Sequence, residues 1–285
     1  MKFGNRHLLL LFLFLPFIAA MSCDSGPSYY YDYGTKSDSA RYYFLKGWEE
    51  ILDNGRWTES ETAFRDAVDF DPDWLLGKSM VGRITRNLEE RERLLEELEA
   101  NKHLAGPDER MLLDVNLLSL KAANNRGRGI PNSPEFNQQR RELAEKNFGA
   151  FVRKYPEDAY FKAEYIEFLH ANHGPQVAID SMLALVYEGQ MGQGFYLSYG
   201  ATLRLELGDI RIAQNLLDMY KTRHIDPTYT TSWMMEAQIA EAKDSLKRAK
   251  ALVDHVVDMD PNHLIAIGMQ NRLAAQLKEQ ANGEN

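Results

Sequence analysis

With one cysteine in 285 residues, the chain has no internal disulfide, so its fold rests on packing and hydrogen bonding alone. Long apolar runs are missing too. The longest, Leu8 to Ala20, covers 13 residues and contains Pro16, short of the roughly 18 that a membrane-crossing helix needs. No stretch alternates apolar and polar residues as a half-buried strand does. GxSxG, HExxH, GxxxxGK[ST] and GxGxxG are all absent, so the common catalytic and phosphate-cradling frameworks have no foothold and no enzymatic activity is expected. Positive charge is scarce, with 33 Lys and Arg against 42 Asp and Glu. Such a surface repels phosphate backbones and anionic headgroups, which argues against nucleic-acid partners and against membrane attachment through surface charge.

What is present begins with an address. Lys2 and Arg6 precede the apolar run, the pattern of a secretory signal over residues 1–22. Ala20-Met21-Ser22-Cys23 follows, with a small residue just before the cysteine. This resembles the lipobox of bacterial lipoproteins, although Ala20 replaces the commoner leucine and Met21 is bulky. The resemblance implies cleavage before Cys23 and acylation there, palmitate being the usual fatty acid. Two or three acyl chains anchor a protein stably where one does so only marginally. Loss of Lys2 and Arg6 leaves 31 basic against 42 acidic residues, a balance of −11. Asp24 resembles an inner-membrane retention signal of some enteric bacteria, while other groups sort differently. The expected location is the cell envelope, with the periplasmic side of the outer membrane preferred.

Residues 23–39 are rich in Ser, Gly, Asp and Tyr without periodicity and read as a flexible tether behind the lipidated cysteine. Tyr29, Tyr30 and Tyr31 either rest at the membrane interface or simply belong to the spacer.

From Ala40 onward apolar residues recur at spacings of three and four, so the body is all-α. The sequence is self-similar at about 34 residues. The clearest unit is Trp233-x3-Ala237-x2-Ala240 followed by Ala249-x3-Val253-x2-Val256-x4-Pro261. Its small residues let two helix axes approach closely, and its proline stops the second helix. Gly208-Asp209 with Ala213-x3-Leu217-x2-Tyr220 repeats the scheme, as does Gly174 with Ala178-x3-Met182-x2-Leu185. The intervals Ala178 to Ala213 and Ala213 to Ala249 are 35 and 36 residues. Trp48, Gly55 and Phe64-x2-Ala67-x4-Pro72 form an earlier unit, with Ser60 where alanine is usual. Residues 143–156, with Ala144-x3-Phe148, supply the second helix of another, whose first helix covers about 108–124 beyond an Arg/Gly/Pro insertion at 126–134. Residues 74–105 are the weakest unit, and pairs such as Glu89 with Arg93 account for their charge.

These units resemble the tetratricopeptide repeat over about residues 40–262, strongly in the last three and loosely in the middle. The resemblance implies a solenoid of about six antiparallel helix pairs. Residues 263–285 would form a capping helix and tail. It also implies that the first helix of each pair lines a concave trough whose exposed positions hold a partner. Carried over, these are Tyr42, Leu45 and Glu49; Tyr160, Ala163, Glu167 and His170; Phe195, Ser198 and Thr202; and Thr231, Met234, Gln238 and Glu241. Their mixture of aromatic, Met and polar residues suits a protein surface. No ring of basic residues supports a carboxylate clamp.

Three clusters invite a chemical reading. Asp69, Asp71 and Asp73 alternate like a calcium loop, but Trp74 stands in place of its glycine and Met80 in place of its closing glutamate. They read as solvated acids around Pro72. His170 and His173 have no third ligand nearby, and histidine suits a helix C-terminus. Arg126, Arg128, Arg140 and Arg141 form a basic patch, suited to an acidic partner or a lipid headgroup, or else a solvated insertion. No cofactor or metal is expected. The function implied is a lipid-anchored, exported scaffold that docks a protein of unknown identity in its trough. The alternative is an accessory lipoprotein of glycan or nutrient uptake with a ligand-binding surface on the array.

Overall fold

The structure is a computed structural model and describes residues 31–283. The expected signal stretch, Cys23 and the first part of the tether lie outside the described residues. Among the described residues there are thirteen α-helices and no strand. In order they are α1 (Asp38–Trp48), carried on by a π-helical turn (Glu49–Asp53), α2 (Trp57–Phe70), α3 (Leu75–Ile84) and α4 (Leu88–Asn101). Then come α5 (Pro107–Gly127), α6 (Pro134–Lys154), α7 (Ala159–His173) and α8 (Pro175–Leu185). The last five are α9 (Gly194–Glu206), α10 (Ile210–Arg223), α11 (Thr231–Ala242), α12 (Leu246–Met259) and α13 (Leu264–Gly283). No described helix is long and apolar enough to cross a membrane.

The helix ends follow from local chemistry. Ser37, Asn87, Ser133 and Asp158 each accept a hydrogen bond from a backbone N–H three residues on, satisfying donors that a helix leaves free. Pro107, Pro134 and Pro175 occupy first-turn positions, where no N–H is needed. Short connections then fold consecutive helices back on each other, and nearly every helix packs against its sequence neighbours. Beyond that, α3 lies against α5 and α9 against α11.

Close approach within the pairs comes from small residues. Ala67, Ala144, Ala178, Ala213 and Ala249 are all fully buried. Ser60 is as buried, and its hydroxyl donates to the Gly47 carbonyl at 2.7 Å. A polar residue is therefore tolerated at an alanine position because the neighbouring helix supplies an acceptor. The core is a succession of clusters. Phe44, Trp48, Phe64, Trp74, Phe148, Phe151 and Phe161 form an aromatic one at the amino-terminal end. Met234, Ala249, Val253, Val256 and Leu273 form a smaller aliphatic one at the other end.

Two expectations need amending. The tether does not run free to Ser39. Tyr33 and Thr35 are buried, the Tyr33 hydroxyl donates to Asp158 at 2.5 Å, and the Thr35 hydroxyl donates to Asp71 at 2.5 Å. The Tyr33 carbonyl accepts from the Trp74 indole at 2.8 Å, and Tyr31 packs edge-on against Phe151. Aromatic rings this large gain more from burial than a seven-residue segment loses in freedom when it is already tied to α1. The second amendment concerns α4, whose charge is more than intrahelical pairing. Glu90 takes two hydrogen bonds from Arg65 of α2, at 2.7 and 2.8 Å, and these hold its carboxyl down at about 2 against some burial.

Candidate functional site

The feature that organises the molecule is the turn between α1 and α2. The π-helical turn widens the end of α1, and Gly55, at φ 75°, reverses the chain. The resulting tip, Asp53 to Arg56, sits against the starting ends of helices far along the chain. The Asp53 carboxylate accepts from the Phe195 N–H at 2.8 Å and from the Tyr160 hydroxyl at 3.3 Å. Its carbonyl accepts from the Tyr220 hydroxyl at 2.8 Å and the Thr231 hydroxyl at 3.2 Å. The Asn54 carbonyl accepts from the Thr230 N–H at 3.0 Å, and the Thr230 hydroxyl donates to the Gly55 carbonyl at 2.7 Å. Free N–H groups at the start of α9 and α11 thus find their acceptors on the tip, where the helix dipole also favours a carboxylate.

The same device recurs in reverse at α2. Its own N-cap residue, Arg56, makes no side-chain cap. Asp260, just before α13, supplies it instead, accepting from the Trp57 and Thr58 N–H groups at 2.6 and 3.1 Å. Arg56 is committed elsewhere, donating to Glu50 at 2.6 and 2.7 Å. Burial works against the Glu50 charge, but hydrogen bonds from Arg56, Lys46 and Asn54 outweigh it and hold its carboxyl at about 2. Burial pushes Asp53 up to about 6, although the Phe195 N–H and the charge of His224 both pull it down.

Beneath this tip lies a cavity of about 300 Å³. Its wall comes from α1, α2 and α3 on one side and α7, α9, α11 and the start of α13 on the other. Most of the lining is apolar or aromatic, including Trp48, Ile51, Leu52, Trp57, Met80, Phe195, Tyr199 and Met234. The charged lining groups are Arg83, Glu164 and Glu167. Arg83 donates to both Glu164 oxygens at 2.8 and 3.0 Å and lies 5.6 Å from the centre of the Trp48 ring. Glu167, one turn further along α7, has no hydrogen bond or ion pair. It is half-buried and lines the cavity. Burial raises its carboxyl well above the usual range, Glu164 adds to the rise, and Arg83 opposes it. His263 also lines the space, and burial pushes its imidazole down to about 4, so it is neutral at pH 7.

The positions expected to form an exposed trough divide into three groups. Around the cavity stand Glu167, Phe195, Ser198, Thr202, Thr231, Met234 and Gln238. Phe195, Thr231 and Met234 are buried, at 4, 7 and 7% exposure, and so is Ala163, which corrects the expectation that they face solvent. The physical reason is the first hairpin, whose tip is bonded to the starts of α9 and α11. Tyr160 is likewise covered, stacking on Trp48 at 6.2 Å while reaching Asp53. A second group, Thr202, Gln238 and Glu241, lines an open groove that continues from the cavity between α9, α11 and α13. There Glu241 is paired with Arg272 of α13. The third group does not join either space. Tyr42 is 63% exposed and packs against Tyr43, Leu45 belongs to the aromatic core, and Glu49 pairs with Lys46.

The other sequence clusters part company. His170 contacts Tyr199 and Glu206, whereas His173 contacts Glu145, so the two histidines share nothing. Asp71 accepts from Thr35. Arg128 pairs with Glu92, whereas Arg140, over the Phe168 ring, stays close enough to Arg126 and Arg141 to feel their like charge, so three of the four arginines remain together. Among the described residues no group of three or more His, Cys, Asp or Glu could hold a metal.

Asp53, Arg83 and Glu164 were not anticipated as site residues. For Arg83 and Glu164 a signal existed. Arg83 is one of two charges in an otherwise largely apolar helix, and Glu164-x2-Glu167 puts two acids on the face shared with Tyr160. No protein-family model matches this chain, and a search of curated proteins returns no match.

Proposed function

We propose that this is an exported, lipid-anchored binding protein whose concave face takes a small organic ligand rather than an extended peptide. In this reading the helices form a tetratricopeptide-like solenoid of six pairs and a capping helix. Cys23 carries the lipid, and the body stands on the periplasmic side of a bacterial membrane. Its role is binding and not catalysis. One observation carries the choice of ligand. The concave positions that would hold a peptide already hold the chain's own first hairpin, and the remaining space is a largely apolar cavity with a few polar groups. Small-molecule sites have that character, with volumes from roughly 300 Å³ upward. It also fits the accessory uptake role better than a role in docking proteins.

Native mass spectrometry of the full chain purified from its own envelope tests this. An adduct of a few hundred daltons that is lost in Met234→Trp, which fills the cavity, is the expected result. A chain that stays ligand-free there and in a thermal-shift screen of small organic compounds, yet binds extended peptides, would overturn it.

The open groove favours a second reading, in which a protein partner docks along α9, α11 and α13. Its support is Ile265, 60% exposed beside Thr202, Gln238 and Glu241. Gly268→Glu with Arg272→Glu, which line the groove and not the cavity, should then remove a partner captured from solubilised envelopes without touching the cavity adduct. Capture unchanged by those substitutions would remove the support.

A further inference from the structure

The cavity lining holds one more ionisable group than its ion pairs use. Arg83 is consumed by Glu164 through two short hydrogen bonds, and His263 is neutral at pH 7. That leaves Glu167 as the one acidic or basic lining group without a hydrogen bond or ion pair. An isolated carboxylate in such surroundings is expensive unless something supplies an opposite charge. Among the described residues the opposite charge that acts on it is the Arg83 guanidinium, which Glu164 already holds. The walls beside it are aromatic, with Phe195 and Tyr199 stacked at 5.0 Å and Trp48 and Trp57 across the space. Aromatic faces attract cations, and Trp48 already holds one, the Arg83 guanidinium.

We propose that the cavity selects a small ammonium amphiphile, a ligand with one positively charged nitrogen set against Glu167 and an apolar body lying among Met80, Phe195 and Met234. This rests on reading the cavity as a ligand site and deepens that reading. The nitrogen replaces the missing counter-charge, while the Ser198 hydroxyl and Gln238 amide line the same space as acceptors for further N–H groups. An anionic ligand would meet Glu164 and Glu167 without a free cation. A neutral one would meet a protonated Glu167 and gain no charge attraction from it.

The proposal also fixes a pH dependence. Glu167 feels Arg83 from α3, Glu164 from its own helix and Tyr199 from α9, and His263 lines the same cavity. Burial holds its proton on in the empty cavity, so a cation that binds must displace that proton. Binding of the cation therefore tightens as pH rises and releases a proton into solution.

The test uses the full chain and three probes of similar size: 2-phenylethylammonium, 2-phenylethanol and 3-phenylpropionate. Isothermal titration calorimetry at pH 8.5 should show the ammonium binding at least tenfold tighter than the alcohol, with no heat from the carboxylate. At pH 6 the ammonium should bind several-fold more weakly, and two buffers of different ionisation enthalpy should reveal proton release. Glu167→Gln should erase the tenfold preference and leave the alcohol within about threefold of its original affinity. Met234→Trp should block every probe. If the alcohol or the carboxylate binds as tightly as the ammonium, or if Glu167→Gln leaves ammonium affinity unchanged, the cation is wrong while the cavity reading stands. If none of the three binds, both fall.

Discussion

Two turns of this chain carry a glycine at positive φ and differ in almost everything else. Gly55, at φ 75°, lies in the tip between α1 and α2, and Gly129, at φ 72°, lies in the connection between α5 and α6. A Cβ added at Gly55 would run into the Thr230 hydroxyl and come within 2.9 Å of the Thr231 backbone nitrogen. One added at Gly129 would meet nothing within 4 Å. The first turn is buried and bonded to residues more than 140 positions away, while the second is exposed along Arg126 to Pro131. The same backbone conformation thus serves two ends, one a tip seated against α9, α10 and α11 and one a plain reversal. Local composition does not separate them, since each combines glycine with arginine and asparagine nearby.

Substitution at Gly55 should bring out that contrast most strongly. In Gly55→Ala the side chain adopts a left-handed conformation, which costs about 1–2 kcal/mol, and it also pushes Thr230 and Thr231 away from the tip. Urea denaturation should show a loss of about 3–4 kcal/mol. A loss under about 1 kcal/mol would mean that the tip is not seated as described.

Asp53 comes next. Asp53→Ala leaves the Phe195 N–H buried without an acceptor, at a cost of about 2–3 kcal/mol. Asp53→Asn keeps an oxygen there and removes a charge that burial opposes. Because the folded carboxyl titrates at about 6, above its ordinary 3.8, its contribution is fully present below about pH 3.8 and disappears as pH rises through 6. Relative to the native chain, the Asn variant should therefore gain stability between pH 4 and 7, by no more than about 1.4 kcal/mol per pH unit. A pH profile parallel to that of the native protein would refute the assignment.

Glu50, three residues earlier, should behave in the opposite sense. Its folded carboxyl is held at about 2, below the ordinary 4.5, so its stabilisation is complete above about pH 4.5 and fades as pH falls towards 2. Arg56→Ala removes its nearest cation and leaves Lys46 and Asn54, so a loss of about 2 kcal/mol at pH 7 is expected. The acid limb of the stability curve should also move to higher pH. An acid limb that stays in place would show that Lys46 alone holds the Glu50 charge.

The same contrast shows what a linear sequence discloses. Helix existence and the pairing of neighbours were legible because spacings of three and four and the buried alanines at 178, 213 and 249 are local signals. Which face of a helix is apolar was legible too. What covers that face was not. Phe195, Thr231 and Met234 carry the pattern of a concave surface, but the hairpin that lies on it comes from residues 53–56, and contact across that distance leaves no periodic trace. The cap that α2 receives from Asp260 was hidden for the same reason. Tyr31 to Thr35 read as spacer because Ser, Gly and Asp surround them, although their aromatic rings find a ready-made core.

The smallest effect belongs to the exposed turn, and it completes the comparison. Gly129→Asn introduces a side chain that tolerates the left-handed region and meets empty space, so stability should change by no more than about 0.5 kcal/mol. The same substitution at Gly55 keeps the tolerated backbone but not the space, so most of the loss expected for alanine should remain. The difference between the two asparagine variants isolates the collision with Thr230 and Thr231 from the backbone preference that both turns share. Chemical denaturation of the pair measures it directly. If Gly55→Asn were as mild as Gly129→Asn, positive φ would account for everything at Gly55, and the fit of the tip against α11 would contribute nothing.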